Sequence, residues 1–301
     1  MIKGQVKTNI EEEIVIRTVK NCPKSYDDTK RVLLIDSDSI IYTSVYNPNR
    51  YLKNVVDEET GNLVRISMTN EEINNISQEE KNADLEECKF RFRNTIQEIC
   101  NTIEAFYNIE KIILCCSGKN NFRYLLYKDY KANRKTTLPF LKELRQYIID
   151  ELEAFPAPYG EADDSLYHFW KMYNKNVIIA TIDKDIKSSC YGIFYNYKKY
   201  ENISGEFYKV TKEESKYNLC TQIITGDTGD NVNLCPKKGI KYAEKVLILG
   251  STNYQYKKVL LKTYIEAWKG NNKLAKENLK LCYKLLKLHT FEEIKKLNLV
   301  E

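Results

Sequence analysis

Three short runs limit what this chain can fold into: Arg31-Val32-Leu33-Leu34-Ile35-Asp36, Lys111 to Cys116, and Asn176-Val177-Ile178-Ile179-Ala180-Thr181. Each is brief and apolar on both faces, as a strand must be when it is covered on both sides. Amphipathic stretches lie between them, so the chain reads as α/β with buried parallel strands. Ligands of such sheets sit beyond the carboxyl ends of the strands. Asp36 ends the first run, with Asp38 two residues on, and Asp183 and Asp185 follow the third.

The 301 residues are enough for one large domain or a domain with a smaller appendage. With 43% hydrophobic and 30% charged residues the chain should be globular. Its net charge of +5 is a small difference between many charges of both signs, so their clustering matters more than their sum. The N-terminus lacks an apolar run of signal-peptide length and no stretch approaches a membrane span, so a cytoplasmic protein with no membrane partner is expected. Nine cysteines without a C-x-x-C pair, and two histidines, argue against structural zinc and for reduced, mostly buried thiols.

In chain order, Ile14 to Ile16 reads as an edge strand. Tyr51 to Val56 and Leu63 to Met68 read as a hairpin, and Ala83 to Tyr107 as a helix. Then Lys119, Arg123, Lys128, Lys131, Arg134 and Lys135 interleave with Tyr124, Tyr127 and Tyr130. That combination suits phosphate neutralisation and base stacking; a solvated helix face is the plain alternative. Leu141, Leu144, Ile148 and Leu152 mark an amphipathic helix stopped by Pro156 and Pro158.

The next helix opens Gly160-Glu161-Ala162-Asp163-Asp164-Ser165. Carboxylates in a first helical turn serve as caps, but three in four positions exceed what capping requires. Helical spacing puts Glu161 and Asp164 together and Asp163 on the other flank of the apolar face. Asp183 and Asp185, two apart in an extended segment, point the same way. His168 reads as a surface or partner-bonded histidine.

Ile193 to Tyr197 and Glu206 to Val210 read as a second hairpin. Thr211-Lys212-Glu213-Glu214 has capping-box form and starts a helix to about Ile224. Gly226 precedes Asp227 and Asp230. Lys237, Lys238, Gly239 and Lys241 then open a helix through Leu249, where backbone N–H groups and lysines suit a phosphate. Tyr254 to Leu288 is basic and helical.

Asp36, Glu161, Asp163, Asp164, Asp183, Asp185, Asp227 and Asp230 therefore all fall at element boundaries. Two hard cations about 3.5–4 Å apart beside a phosphodiester need such a set. Oxygen donors without imidazole or thiolate select Mg²⁺ or Mn²⁺.

Leu-Ile-Asp, Tyr-Lys-Ala-Asn-Arg, Gly-Glu-Ala-Asp-Asp, Asp-Lys-Asp and Gly-Asp-x-x-Asp-Asn before a Gly-Ile turn, in this order over about residues 31 to 250, resemble the flap endonuclease family. Phage 5′→3′ exonucleases and the 5′-nuclease domain of bacterial DNA polymerase I are the members it looks most like. The resemblance implies a twisted, mostly parallel, PIN-like sheet flanked by helices, two metal ions, a helical gateway and a helix-hairpin-helix element. It implies an N-terminal extension over 1–30, a nuclease domain over 31–215 with its gateway at about 119–155, and a DNA-binding region with C-terminal helices over 216–301.

Carried over by residue, Asp36, Glu161, Asp163 and Asp164 look like ligands of the first ion, and Asp183, Asp185, Asp227 and Asp230 like those of the second. Lys131 and Arg134 match the gateway pair on the scissile phosphate, and Tyr130 would stack on an unpaired base. Lys119, Arg123, Lys135, Lys237, Lys238, Gly239 and Lys241 would contact DNA. The implied substrate is DNA with a 5′ end or flap, with RNA–DNA hybrids as a further one. Replication proteins are the implied partners, and for a phage chain the location is the host cytoplasm.

Two departures stand out. The second strand ends Cys116-Ser117 where the family carries an aspartate, a contact that is missing or that Asp38 supplies. Of the family's Gly-x-x-Gly-x-Gly hairpin only Gly239 remains, which puts a K⁺ at that turn in question. Two rivals account for part of the pattern. One is a haloacid-dehalogenase-like phosphatase using Asp36 and Asp38; the other is a flap-binding protein that has lost catalysis.

Overall fold

The computed structural model describes residues 5–6, 17–47, 50, 52–57, 60–69, 71–72, 75–134, 138–199 and 203–297. Its strands are β1 (Gln5–Val6), β2 (Arg17–Lys20), β3 (Asp27–Asp36), β4 (Leu52–Val56), β5 (Leu63–Ser67), β6 (Tyr107–Cys116), β7 (Phe155–Pro156), β8 (Val177–Ala180), β9 (Gly192–Asn196) and β10 (Ile203–Val210). Its helices are α1 (Ser37–Val45), α2 (Gln78–Glu104), α3 (Phe122–Leu126), α4 (Leu141–Glu151), α5 (Ala162–Met172), α6 (Lys212–Thr225), α7 (Ile240–Val246), α8 (Asn253–Ala267), α9 (Asn272–Leu286) and α10 (Phe291–Lys295). No described helix is long and apolar enough to cross a membrane.

Eight strands form one mixed sheet in the order β1-β2-β10-β9-β8-β3-β6-β7, and β4 and β5 pair as a separate hairpin. The three buried runs are its middle: β3 lies between β8 and β6 and is parallel to both. Successive residues of β3 serve opposite faces. Leu33 and Ile35 pack with Ile40, Phe92, Leu144 and Ile148, under α1, α2 and α4. Val32 and Leu34 pack with Leu166, Phe169, Trp170 and Ile179, under α5. Both faces are thus closed by helices, which is why these strands tolerate no alternation of polar residues.

A third cluster is helical, built by Ile223, Leu234, Leu247, Leu260, Tyr264 and Leu285 among others, and it takes in Tyr130 from the loop after α3. All nine cysteines are free, and all but Cys22 are buried.

Several boundaries differ from the sequence expectation. The first 30 residues contribute strands: β2 pairs in parallel with β10, and β3 begins at Asp27. The expected strand at 14–16 lies outside the described residues. Helix α2 starts five residues before Ala83 because Ser77 and Glu80 form a reciprocal capping box, and it ends before Phe106 because Tyr107 already belongs to β6. The basic C-terminal stretch is two helices, since Lys269 and Gly270 take left-handed conformations that stop α8. Replacing the cap, Ser77→Ala, should lower stability by about 1 kcal/mol in a denaturant titration.

Candidate metal and nucleic-acid site

The carboxyl ends of β3, β6 and β8 and the first turn of α5 meet at one edge of the sheet. Asp36 ends β3 at 2% exposure. Its Oδ2 accepts hydrogen bonds from Ser39 Oγ at 2.7 Å and Thr181 Oγ1 at 3.0 Å, and its carbonyl accepts one from Tyr197 at 3.2 Å. Burial first, and then the charges of Asp38 and Asp183, raise its pKa to about 6. Asp163 is pushed well up by burial and by the charges of Asp183, Asp36, Glu161 and Asp164.

Asp183 is placed by the short turn after β8, where its Oδ1 accepts from the Asp185 amide at 2.7 Å. Burial, the charges of Asp183 and Asp227, and a hydrogen bond with Asp227 raise Asp185 to about 7. Lys184 between them is exposed, as the extended spacing requires. Asp36, Asp163, Asp183, Asp185 and Asp227 thus form a chain of electrostatically coupled carboxylates.

The other three carboxylates, Glu161, Asp230 and Asp164, already have cations. Lys131 Nζ pairs with Glu161 and lies 3.5 Å from Asp230 Oδ1, while Arg134 Nη2 is 3.2 Å from the same oxygen. Tyr130 OH stands 2.7 Å from Asp230 Oδ2 and 3.1 Å from Glu161 Oε2. Burial raises Asp230, with Lys131 pulling it back down. The loop is pinned here by its backbone too: the Lys131 amide donates to the Asp230 carbonyl at 2.9 Å, with Lys131 in a left-handed conformation.

Three expected roles change. Asp164 is fully buried: its carboxylate takes a fork from Arg123 at 2.5 and 3.0 Å and the amides of Glu161 and His289 at 3.1 and 3.0 Å. Its oxygens are committed to protein donors, so it braces the site and is no ligand in this arrangement. Arg123 is 2% exposed and also donates to the Leu285 carbonyl at 2.8 Å, so it faces the interior and not DNA. Tyr130, at 1% exposure, is walled in by the helical cluster and has no free face for a base. An exposed aromatic beside it is Tyr124 of α3, at 50% and edge-on to Tyr130.

The gateway region is shorter in helix than expected: α3 has five residues, followed by turns through Asn133. Lys119 is exposed, and Lys135 lies outside the described residues. At the expected hairpin, Lys237 and Lys241 are exposed, but Lys238 pairs with Glu266 at 2.8 Å over the Tyr242 ring. Gly239 has an ordinary backbone conformation with open space at its Cβ, so nothing there requires glycine. His168 stacks on Phe291 at 4.0 Å and is largely covered; its Nδ1 lies 3.6 Å from Glu292 without a hydrogen bond, and burial lowers its pKa, so it is neither a ligand nor the surface or partner-bonded histidine expected.

Asp38 was open in the sequence, and the structure places it on the second strand's end: its carboxylate accepts from the Ser117 amide at 3.2 Å and from Ser117 Oγ. Arg145 of α4 reaches it at 3.3 Å. Ser117 Oγ also accepts from the Ala162 amide at 3.2 Å, tying β6 to the start of α5. Thr181 and Ser39, which hold Asp36, were missed; Ser39 stands three residues past Asp36, the spacing at which an early helical hydroxyl can turn back to the residue before the helix, and nothing local pointed to Thr181.

The donor set fits a hard divalent cation: oxygen only, half-buried to buried, and short of positive charge at Asp36, Asp163 and Asp183. Among the described residues no three such side chains converge as a ready-made coordination shell, so binding would draw them together. The raised acids fix the sign of the pH dependence without metal. Asp36 and Asp185 hold protons to about pH 6 and 7 when folded, against a usual 3.8. The folded state therefore binds more protons over that window, and these groups cost stability as pH rises from about 4 to 7. In EDTA the denaturation midpoint should fall between pH 5 and 7.5, and Mg²⁺ should remove the slope.

The fold and site define an α/β protein with acidic residues at the carboxyl ends of its central strands, and the chain is similar in sequence to a 5′-3′ exonuclease. No protein-family model matches it. It is 29% identical over 166 residues to a 5′-3′ exonuclease of Buchnera aphidicola subsp. Schizaphis graminum (strain Sg), a match covering 49% of this chain and 56% of that protein. The chain thus spans just over half the length of this relative.

Two solved structures are similar at 14% identity. One is the T5 D15 protein co-crystallized with metal ions, with 90% of this chain and 100% of that one covered and a TM-score of 0.48. The other is the bacteriophage T5 D15 flap endonuclease in a pseudo-enzyme-product complex with DNA and metal ions, with 88% and 96% covered and a TM-score of 0.47.

Proposed function

We propose that the protein is a divalent-metal-dependent 5′ nuclease that hydrolyses phosphodiester bonds in DNA carrying a 5′ end or flap. The observation that carries this reading is the run of coupled carboxylates from Asp36 through Asp163 and Asp183 to Asp185 and Asp227, in which, among the described residues, no salt bridge is formed except at its Glu161–Asp230 margin, the exposed Lys184 only easing Asp185 by its charge. Bound Mg²⁺ or Mn²⁺ would lower the pKa of water and offset charge on the phosphate. Asp36, Asp163 and Asp183 would hold the first ion, with Asp185 and Asp227 nearest a second.

The chain's own residues supply the remaining steps. Ser39 and Thr181 fix Asp36, and Ser117 fixes Asp38 at the strand end. Lys131 and Arg134 now pair with Glu161 and Asp230. When a strand enters, they can exchange these carboxylates for its phosphate, orienting the bond to be broken. Exposed Lys119, Lys128 and Tyr124 line the approach and would bind backbone and an unpaired base. Lys237 and Lys241 offer a second basic contact for duplex.

The same arrangement would accept RNA–DNA hybrids, since nothing in it reads a base edge. A place in replication follows from a substrate that carries displaced 5′ ends. The test is a 5′-labelled flap duplex incubated with Mg²⁺ or with EDTA. Short labelled products in Mg²⁺ alone are expected, and intact substrate in both would overturn the reading.

A further inference from the structure

We propose that Thr181 and Ser39 set which divalent cation the acidic groove prefers, by holding one oxygen of Asp36 and leaving the other as its single metal donor. The inference rests on the reading of that groove as a cation site and concerns its selectivity. Asp36 stands just before the first turn of α1, a position where an aspartate usually turns its carboxylate onto the helix N–H groups. Here the side chain makes no such bond. It turns instead to two hydroxyls, and both meet the same oxygen: Oδ2 lies 2.7 Å from Ser39 Oγ and 3.0 Å from Thr181 Oγ1.

The direction of the Thr181 bond is fixed by a third group. The Asp183 amide donates to Thr181 Oγ1 at 2.9 Å, so the hydroxyl's own proton is free for Asp36. Thr181 is 1% exposed, and its amide donates to the Tyr195 carbonyl at 3.0 Å, which seats it in the sheet. One side chain thereby ties the carboxylate at the end of β3 to the backbone of the turn after β8. Asp36 and Asp183 are held in register before any ion arrives.

An ionised carboxylate has about two acceptor positions on each oxygen, and the two hydroxyls fill those of Oδ2. Among the described residues Oδ1 accepts no hydrogen bond, although Asp36 is only 2% exposed. A buried anionic oxygen without a donor is unfavourable, and a cation would satisfy it. Mg²⁺ demands a near-octahedral shell at about 2.0–2.1 Å, which single oxygens supply, whereas Ca²⁺ takes roughly six to eight oxygens at about 2.3–2.6 Å and accepts both oxygens of one carboxylate. Holding Oδ2 therefore favours the smaller ion. Mn²⁺ shares the octahedral oxygen shell and serves as its probe.

The experiment follows Mn²⁺ by electron paramagnetic resonance at pH 7.5, alone and in competition with Ca²⁺. It compares wild type, Thr181→Ser, Ser39→Ala, and the double variant Ser39→Ala with Thr181→Val, each checked for folding by its melting temperature in EDTA. Wild type and Thr181→Ser, which keeps the hydroxyl, should prefer Mn²⁺ to the same degree. The double variant should bind Mn²⁺ about tenfold more weakly, the lower end of the loss when hydrogen-bonding partners of a ligand are removed, while Ca²⁺ binding holds or tightens. The preference thus moves about tenfold toward Ca²⁺. Ser39→Ala alone should move it part of the way, and it decides the matter if the change at buried Thr181 unfolds the protein.

A role in structure alone would weaken both ions alike. Equal losses for Mn²⁺ and Ca²⁺, or a preference that no variant moves, would overturn the proposal and leave the cation site standing. Absence of saturable Mn²⁺ binding in folded wild type would overturn both. The readout is binding, so it does not depend on whether the protein cleaves DNA.

Discussion

Asp183→Asn should abolish metal-dependent cleavage and, at the same time, make the metal-free protein more stable. Asp183 raises the pKa of Asp36, Asp163 and Asp185 through its charge, so it is the carboxylate that links these three. Asparagine keeps the Oδ1 that accepts the Asp185 amide at 2.7 Å, so the turn survives. The like-charge repulsion does not. Relief of even one pKa unit at a neighbour is worth about 1.4 kcal/mol, or roughly 2–4 °C in melting temperature at this size. Activity should fall at least about 100-fold, the upper end of what a metal site suffers when only a hydrogen-bonding partner of a ligand is removed. A variant both inactive and less stable would mean that Asp183 holds structure and not a cation.

Arg123→Ala should give the largest loss of stability, about 3–5 kcal/mol in a denaturant titration, because it strands a buried carboxylate. Asp164 and Arg123 are 0% and 2% exposed and form a two-point fork. Burial opposes ionisation of Asp164, but Arg123 and the His289 and Glu161 amides outweigh it and hold the pKa below the usual value. That stability is present above about pH 4 and is lost as pH falls through the lowered value. The fork also joins three distant parts of the chain: α3, the start of α5, and the carbonyl of Leu285. Replacing both partners with apolar residues, Arg123→Met with Asp164→Leu, should recover most of the loss, since neither charge is then left buried alone. Asp164→Asn should likewise lower stability while leaving Mn²⁺ affinity within about tenfold of wild type, unlike any change at Asp163 or Asp183.

The sheet was legible because its signals are local. Val32 to Ile35 and Val177 to Ala180 are apolar at every position, and only a strand covered on both faces asks for that. The placement of Asp36, Asp183 and Asp185 followed from where those runs stop. What divides Asp163 from Asp164 is not local. The two are neighbours, about 100° apart on a helix, and the guanidinium that claims Asp164 comes from 41 residues upstream.

Tyr130 misled for the same reason. It sits in a basic, tyrosine-rich stretch that suits a binding surface, yet Val232, Leu234 and their helical neighbours bury it. The capping box at Ser77 and Glu80 was readable, being a serine followed by glutamate three residues on, but the apolar spacing farther along drew the boundary to Ala83. The pairing of β2 with β10 joins segments far apart in the chain, and no pattern within either strand announces it.

The central claim is that the inner carboxylates are a cation site, and Mn²⁺ binding followed by electron paramagnetic resonance at pH 7.5 tests it most directly. Wild type should bind two ions per chain, and Asp163→Asn should lose the tighter one while remaining folded. Absence of saturable Mn²⁺ binding in the folded wild-type protein, or binding that Asp163→Asn leaves unchanged, would contradict the account.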